Sequence, residues 1–202
     1  MKKLRLAFYV ITFLSWVIPL SCIAQTSTID SLLLALAKTD THKEKVVILN
    51  HLGDSYKKID SKRGLAYVQQ AVKLADKHLL KELKAESLVT LGRLYTIRKK
   101  YKNAEESFVE AIELGNTHKF SQPLAKAFLG MGILKSRQEE FTKSIEYLNK
   151  ALKYKMSLID QADVYYYLGS AKQMTNKSKE GLLYYKKSLK IYKAKQLVDK
   201  QC

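Results

Sequence analysis

Apolar residues recur at three- and four-residue steps through Leu88, Leu91, Leu94 and Tyr95, and again, after a break around Lys99 to Lys102, through Ala104, Phe108, Ala111 and Ile112. That spacing marks one face of a helix. It predicts two amphipathic helices joined by a short turn. Small residues at Gly92, Ala104 and Ala111 allow the two backbones to approach, and Leu91, Tyr95 and Phe108 fill the remaining space.

The same pattern returns along the chain. Gly53, Gly92, Gly132 and Gly169 are separated by 39, 40 and 37 residues, and each follows an apolar residue: Leu52, Leu91, Met131 and Leu168. Nineteen residues after the last three glycines stand Ala111, Ala151 and Ser188. After Gly53 the matching Ala71 comes at eighteen, so the first turn is one residue short. A period of this length is the mark of a stacked repeat.

The leucine-glycine pair, the aromatic three residues later and the small-large-small set of the second helix resemble the tetratricopeptide repeat. The match is fullest in "LGRLYTIRKKYKNAEESFVEAIEL", and "LGDSYKKIDSKRGLAYVQQAVKLA" keeps Leu52, Gly53, Tyr56 and Ala71. In the two later copies Lys135 and Lys172 stand at the aromatic's place, and Ser144 and Gly181 replace the first alanine of the second helix. The resemblance implies an all-α fold, a right-handed α-solenoid of antiparallel helix pairs. Four pairs are expected at about 43–79, 81–117, 121–156 and 159–195, preceded by an N-terminal helix and linker at 25–42. The period exceeds the family's usual length of about thirty-four residues, which calls for longer helices or longer linkers.

Composition agrees. Of 202 residues, two are proline and eight glycine, and the 47% that are hydrophobic suffice for a continuous core once the pairs stack. A lone helix pair cannot bury both its faces, so stability is expected from the interfaces between repeats.

The first residues follow other rules. Lys2, Lys3 and Arg5 precede an apolar run from Leu6 to Leu20 that ends on the small residues Cys22 and Ala24. This is the pattern of an export signal over 1–24, cut after Ala24, which places the mature chain in the periplasm or outside the cell. The run is short for a permanent anchor, since a span needs about twenty residues. Lipid attachment at Cys22 is the less supported alternative, because Pro19 occupies the place where lipoprotein signals carry leucine. Cleavage after Ala24 leaves Cys202 as the one cysteine, so no intramolecular disulfide is expected.

The signal holds three of the 36 basic and none of the 19 acidic residues, so the mature chain keeps 33 basic against 19 acidic residues, a net charge of +14. The excess thickens in "NKSKEGLLYYKKSLKIYKAKQ". Lysines on phosphates with tyrosines on bases would suit nucleic acid. Leu182, Tyr185, Leu189 and Tyr192 fall at helical spacing, however, and are expected in the core, which argues against that partner. Anionic lipid headgroups or acidic polymers at the cell envelope are equally compatible with the charge.

Catalytic and metal chemistry find little support. His42, His51, His78 and His118 are scattered without zinc-ligand spacing. Glu105 with Glu106 and Glu139 with Glu140 are adjacent pairs that diverge on a helix or turn. The "GMG" at 130–132 lacks a preceding strand and a third glycine, and Gly132 is already a packing glycine. The expectation is a non-enzymatic chain with no cofactor and no metal.

Recognition by the concave face remains. In the family, the first helix of each pair lines the groove. Carried onto this sequence, its exposed places are Asn50, His51, Asp54 and Lys57; Val89, Thr90, Arg93 and Ile97; Leu129, Ile133 and Arg137; and Tyr166, Tyr167, Ser170 and Met174. The mixture suits a protein or peptide ligand with apolar anchors and some negative charge, though several of these positions could equally pack against second helices or the N-terminal helix. The family's clamp for a C-terminal carboxylate is not reproduced: Asn50, Asp54, Thr90, Lys126 and Gly130 match it only at Lys126, and starting one repeat later, Val89, Arg93, Gly130, Asp163 and Tyr167 do not match at all.

Before the first repeat, Ser27 or Thr28 is expected to cap a short helix whose Ile29, Leu32, Leu33 and Leu36 face inward, with a link at Lys38 to Thr41. This opening resembles the export-directed sensor half of repeat-containing histidine kinases and helix-turn-helix regulators of the Bacteroidetes type. Two function classes follow: a free, exported interaction module, or the truncated input half of a receptor. Leu183, Tyr184, Ile191 and Leu197 are expected to leave an apolar flank uncovered at the end of the array.

Overall fold

The computed structural model describes residues 20–199, and side-chain surroundings over 28–196. The basic start and most of the apolar run of the expected signal, together with the environments of Cys22, Ala24, Leu197 and Cys202, lie outside the described residues. Nine α-helices and no strand occur among those that are described: α1 (Leu20–Lys38), α2 (His42–Tyr56), α3 (Ser61–Lys77), α4 (Lys81–Ile97), α5 (Tyr101–His118), α6 (Ser121–Arg137), α7 (Phe141–Ala151), α8 (Leu158–Met174) and α9 (Ser178–Asp199). None of the described helices is long and apolar enough to cross a membrane.

The helices pair as α2/α3, α4/α5, α6/α7 and α8/α9, and each second helix also packs on the first helix of the next pair. First helices touch along the series α2, α4, α6, α8, whereas among the described residues second helices do not touch one another. The array therefore bends around its first helices, which form the inner, concave face. This is an α-solenoid of the tetratricopeptide kind.

Side-chain size sets the closeness of each pair. A Cβ built on Gly92 would lie 2.6 Å from the Phe108 ring, and one built on Gly130 would lie 2.3 Å from the same ring. Phe108, fully buried, is thus wedged between α4 and α6 and joins two repeats. Gly181, in place of the usual alanine, lets α9 approach α8 so closely that a Cβ there would sit 2.7 Å from the Gly169 carbonyl oxygen. Ser144 and Ser188 keep the small size, and each donates its hydroxyl to a carbonyl oxygen of the facing helix, Gly132 and Ala162, both at 2.8 Å.

The two lysines at the aromatic's place are each matched by glutamate. The Lys135 ammonium is almost fully enclosed and lies 3.0 Å from Glu105 and 3.3 Å from Glu140. Lys172 lies 2.7 Å from Glu180. Their aliphatic stems cover apolar surface as a ring would, while the charge stays paired.

Helix length accounts for the long period. Helices of 17 or 18 residues run from α3 to α6 with short turns between them, and only the link from α7 to α8 is long, behind a second helix of 11 residues. Lys99, Glu139 and Asn176, each seven residues after a phase glycine, adopt φ of 57°, 64° and 60° and end a first helix in the left-handed manner. The first pair lacks that residue. There Asp60 is extended, and its carboxylate caps α3 by accepting from the backbone N–H of Lys62 at 3.1 Å and Arg63 at 3.0 Å.

Two expectations need correction. Ser27 and Thr28 do not begin a helix, because α1 already runs from Leu20. Its inward residues nevertheless dock, with Ile29 buried beside Leu52 and Tyr56. Leu182 and Leu189 are not in the core: they are 55% and 52% exposed, because no first helix covers that flank of α9 among the described residues. Tyr185 and Tyr192 are half-buried on the opposite flank, against α8.

Candidate binding groove

A cavity of about 370 Å³ opens on the concave face between α4, α6 and α8. It brings together five of the residues expected there, Arg93, Ile97, Ile133, Arg137 and Tyr167, with Thr96, Lys99, Tyr101, Phe108 and Gly130. Gly130 leaves the floor open because it has no side chain, and the edge of the Phe108 ring lies beneath it. Ile97 is half exposed, giving the rim an apolar surface. Farther along α8, Tyr166 and Met174 are also exposed and Ser170 is half-buried. Tyr166 stands edge-on to Tyr167, with ring centroids 5.3 Å apart.

A smaller cavity, about 130 Å³, adjoins the first toward α2 and shares Arg93 with it. Asn50, His51, Asp54, Glu86, Thr90 and Lys126 contribute its polar atoms. Arg93 does not stand there as a free cation. Its Nη2 donates to both Asp54 oxygens, at 3.0 and 2.9 Å, and Lys57 approaches the same carboxylate at 3.9 Å. Asn50 is likewise engaged, donating from Nδ2 to Ser87 Oγ at 2.8 Å.

Burial raises the Glu86 carboxyl above the ordinary glutamate range; Lys126 opposes this, Glu82 adds to it and His51 opposes it. Burial also raises the Tyr167 hydroxyl, against the pull of Arg137 and with help from Asp163 and Tyr166. At the far end of α8, Tyr192 donates its hydroxyl to Asp163, and burial together with that bond raises its titration strongly.

Other expected positions are buried, though Val89 and Thr90 still line the smaller cavity. Val89 and Leu129 are buried in the packing between helices. Thr90 is also buried, at the base of the smaller cavity, with its hydroxyl donated to the Glu86 carbonyl oxygen at 3.2 Å. Lys99, Tyr101 and Gly130 were not among the candidates. Lys99 and Tyr101 flank the turn after α4, outside the first-helix positions that the family pattern samples, and Gly130 has no side chain to be counted.

The described residues contain no cluster of three or more histidine, cysteine, aspartate or glutamate side chains able to hold a metal ion. On α9, a shallow depression of about 450 Å³ is lined by Leu183, Tyr184 and the lysines at 186, 187 and 190, with Lys187 over the Tyr165 and Tyr184 rings.

Residues 85–117, which are α4 from Ala85 together with most of α5, match the family described as Tetratricopeptide repeat. No curated protein sequence matches the chain. Among solved structures, BtubC (BKLC) from P. vanneervenii superposes with a TM-score of 0.63 at 16% identity, over 79% of this chain and 67% of that one. MamA gives 0.54 at 21% identity, over 85% and 91%. The Rap conjugation gene regulator of plasmid pLS20, in complex with the Phr* peptide, gives 0.71 at 15% identity, over 81% of this chain but 46% of the regulator. At these identities the likeness is one of fold.

Proposed function

We propose that this protein is an exported, non-enzymatic interaction module that holds a protein or peptide in its concave groove. The observation that carries the reading is the 370 Å³ cavity in which Arg93, Ile97, Ile133 and Arg137, from two successive first helices, meet Tyr167 from a third. It has the mixture of apolar floor and convergent polar groups that recognition sites use. The peptide-bound Rap structure supports the same use of such an array, for that protein. Export rests on the basic start, the apolar run and the small residues before Gln25.

The test is a dodecapeptide display library selected on the chain beginning at Gln25, with the selected peptides then measured by fluorescence polarisation. Arg137→Ala and Tyr166→Ala are expected to weaken them, the tyrosine by about 2 kcal/mol if it is an anchor. If Lys186→Ala, Lys187→Ala and Lys190→Ala together abolish binding while the groove variants bind normally, the partner is held by α9 and the reading fails. Mass spectrometry of the natively expressed protein is expected to find Gln25 first; a lipid-modified Cys22 would move the protein onto a membrane.

A second reading makes the chain the input half of a receptor. It is favoured by Leu182 and Leu189, exposed on α9 at the repeat positions where Ile145 and Leu152 of α7 pack in the cluster that α8 completes. Genomic sequence downstream that encodes a further repeat, a membrane span and an output domain would decide for it.

A further inference from the structure

The two adjoining cavities differ in charge. The smaller one sets Asp54 and Glu86 against Arg93 and Lys126, and is balanced. The larger one is lined by Arg93, Lys99 and Arg137 and by no carboxylate. Of these three, Arg93 is already engaged by Asp54, whereas the side chains of Lys99 and Arg137 make no ion pair or hydrogen bond among the described residues. The excess positive charge sits directly beside the exposed Ile97 and the half-buried Ile133. A concave, partly apolar wall focuses such a field and strengthens a guanidinium's grip on a planar anion.

Resting on the groove reading above, we infer that the α4/α6/α8 cavity is an anchor subsite for a carboxylate adjoining an aliphatic or aromatic side chain in a peptide ligand. The carboxylate lies against Arg137 and Lys99, and the apolar side chain against Ile97 and Ile133. A volume of about 370 Å³ has room for such a pair of groups. The groove continues on both sides, toward the balanced cavity through Arg93 and toward Tyr166 along α8, so the chain carrying the acid can pass through the site. An internal glutamate or aspartate beside an apolar residue is therefore the favoured source, and a C-terminal residue, which carries both groups on one carbon, is the other. The residues differ from those of the family's carboxylate clamp, whose positions this chain does not fill.

The experiment is isoleucine-methyl NMR of the chain beginning at Gln25, with Ile97 and Ile133 assigned by Ile→Val substitution. The probes are the blocked peptide Ac-Ala-Leu-Glu-Leu-Ala-NH2, its glutamine and lysine analogues, and the free acid Ac-Ala-Leu-Gln-Leu. The glutamate peptide is expected to shift both methyls with a dissociation constant about tenfold below that of the glutamine peptide, and the lysine peptide to bind weakest. Arg137→Gln is expected to erase the glutamate preference, and Lys102→Gln, on the outer helix α5, to preserve it. Raising the salt to about 0.5 M narrows the gap, since exposed charges are screened. Equal binding of glutamate and free-acid peptides admits both sources; tighter binding of the free acid reassigns the site to chain ends. If the glutamate, glutamine and lysine peptides shift Ile97 and Ile133 alike, the anion preference is overturned and the groove reading stands. If no probe moves either methyl, the subsite is overturned. If the probes instead shift Ile191 on α9, the groove reading falls with it.

Discussion

The Lys135 ammonium, with its side chain only 8% exposed, offers a quantitative test of how this solenoid tolerates charge in its interior. Lys135 stands three residues after Gly132, where the preceding repeats carry Tyr56 and Tyr95. Glu105 from α5 and Glu140 from the following turn neutralise it at 3.0 and 3.3 Å. Removing one partner of a buried pair typically costs about 3–5 kcal/mol, whereas replacing the whole pair by apolar groups is often neutral. Here either carboxylate can cover for the other, so Glu105→Gln or Glu140→Gln alone is expected to cost only about 1 kcal/mol. Together they leave the charge uncompensated and are expected to cost about 3 kcal/mol, the low end of that range, because the glutamate side chains are 41% and 31% exposed and water can partly replace them. Lys135→Met keeps the stem and removes the charge; its expected effect lies within about 1 kcal/mol of zero. Urea unfolding followed by circular dichroism at constant m-value measures all four variants. Burial alone would lower the lysine's titration, but the hydrogen bonds and charges of Glu105 and Glu140 outweigh it and raise the value. The ionic contribution is therefore complete below the unfolded value of about 10.4 and is lost as pH rises through the higher folded value. In strongly alkaline solution the parent is expected to lose stability relative to Lys135→Met. A Lys135→Met protein less stable at pH 7 than the double glutamine variant would refute the reasoning.

Gly130→Ala places a Cβ 2.3 Å from the Phe108 ring; overpacking of about 1–3 kcal/mol is expected to outweigh the roughly 1 kcal/mol helix gain, read as a lower urea midpoint, and the substitution is expected to become favourable in a Phe108→Ala background. Lys99→Gly and Glu139→Gly relieve left-handed backbone at two separate turns, so each is expected to stabilise by about 0.5–1 kcal/mol and the two to add. Tyr192, held protonated by burial and Asp163, is expected to stay un-ionised above the usual tyrosine value of about 10, its contribution to stability being complete below that value and lost as pH rises from there through the raised folded value; ultraviolet titration checks this, and a full complement of ionised tyrosines in the folded protein near pH 10.5 would contradict it.

The period of the phase glycines, the pairing of helices and the short first turn were all legible in the sequence, because they depend on contacts within one helix pair. Gly92 faces Phe108 sixteen residues away, and Gly132 faces Leu148 at the same separation, so a local rule suffices. The missing turn residue was visible as a spacing, although its replacement by the Asp60 cap was not. The first-helix register sets Ile97, Ile133 and Arg137 on one helical face, and these three line the same cavity.

What the tertiary structure decided concerns neighbours one repeat apart. Asp54 engages Arg93 across 39 residues, and Glu105 reaches Lys135 from the previous pair. Val89 and Leu129 are buried, and Leu182 and Leu189 exposed, although all four have the same apolar character. Periodicity identifies the face that a helix turns toward its own partner. A helix in a stacked array has two further flanks, and whether each meets protein or water depends on the angle at which the next pair docks. That angle comes from the summed packing of many side chains, Phe108 between two glycines foremost among them, and no single spacing in the sequence records it.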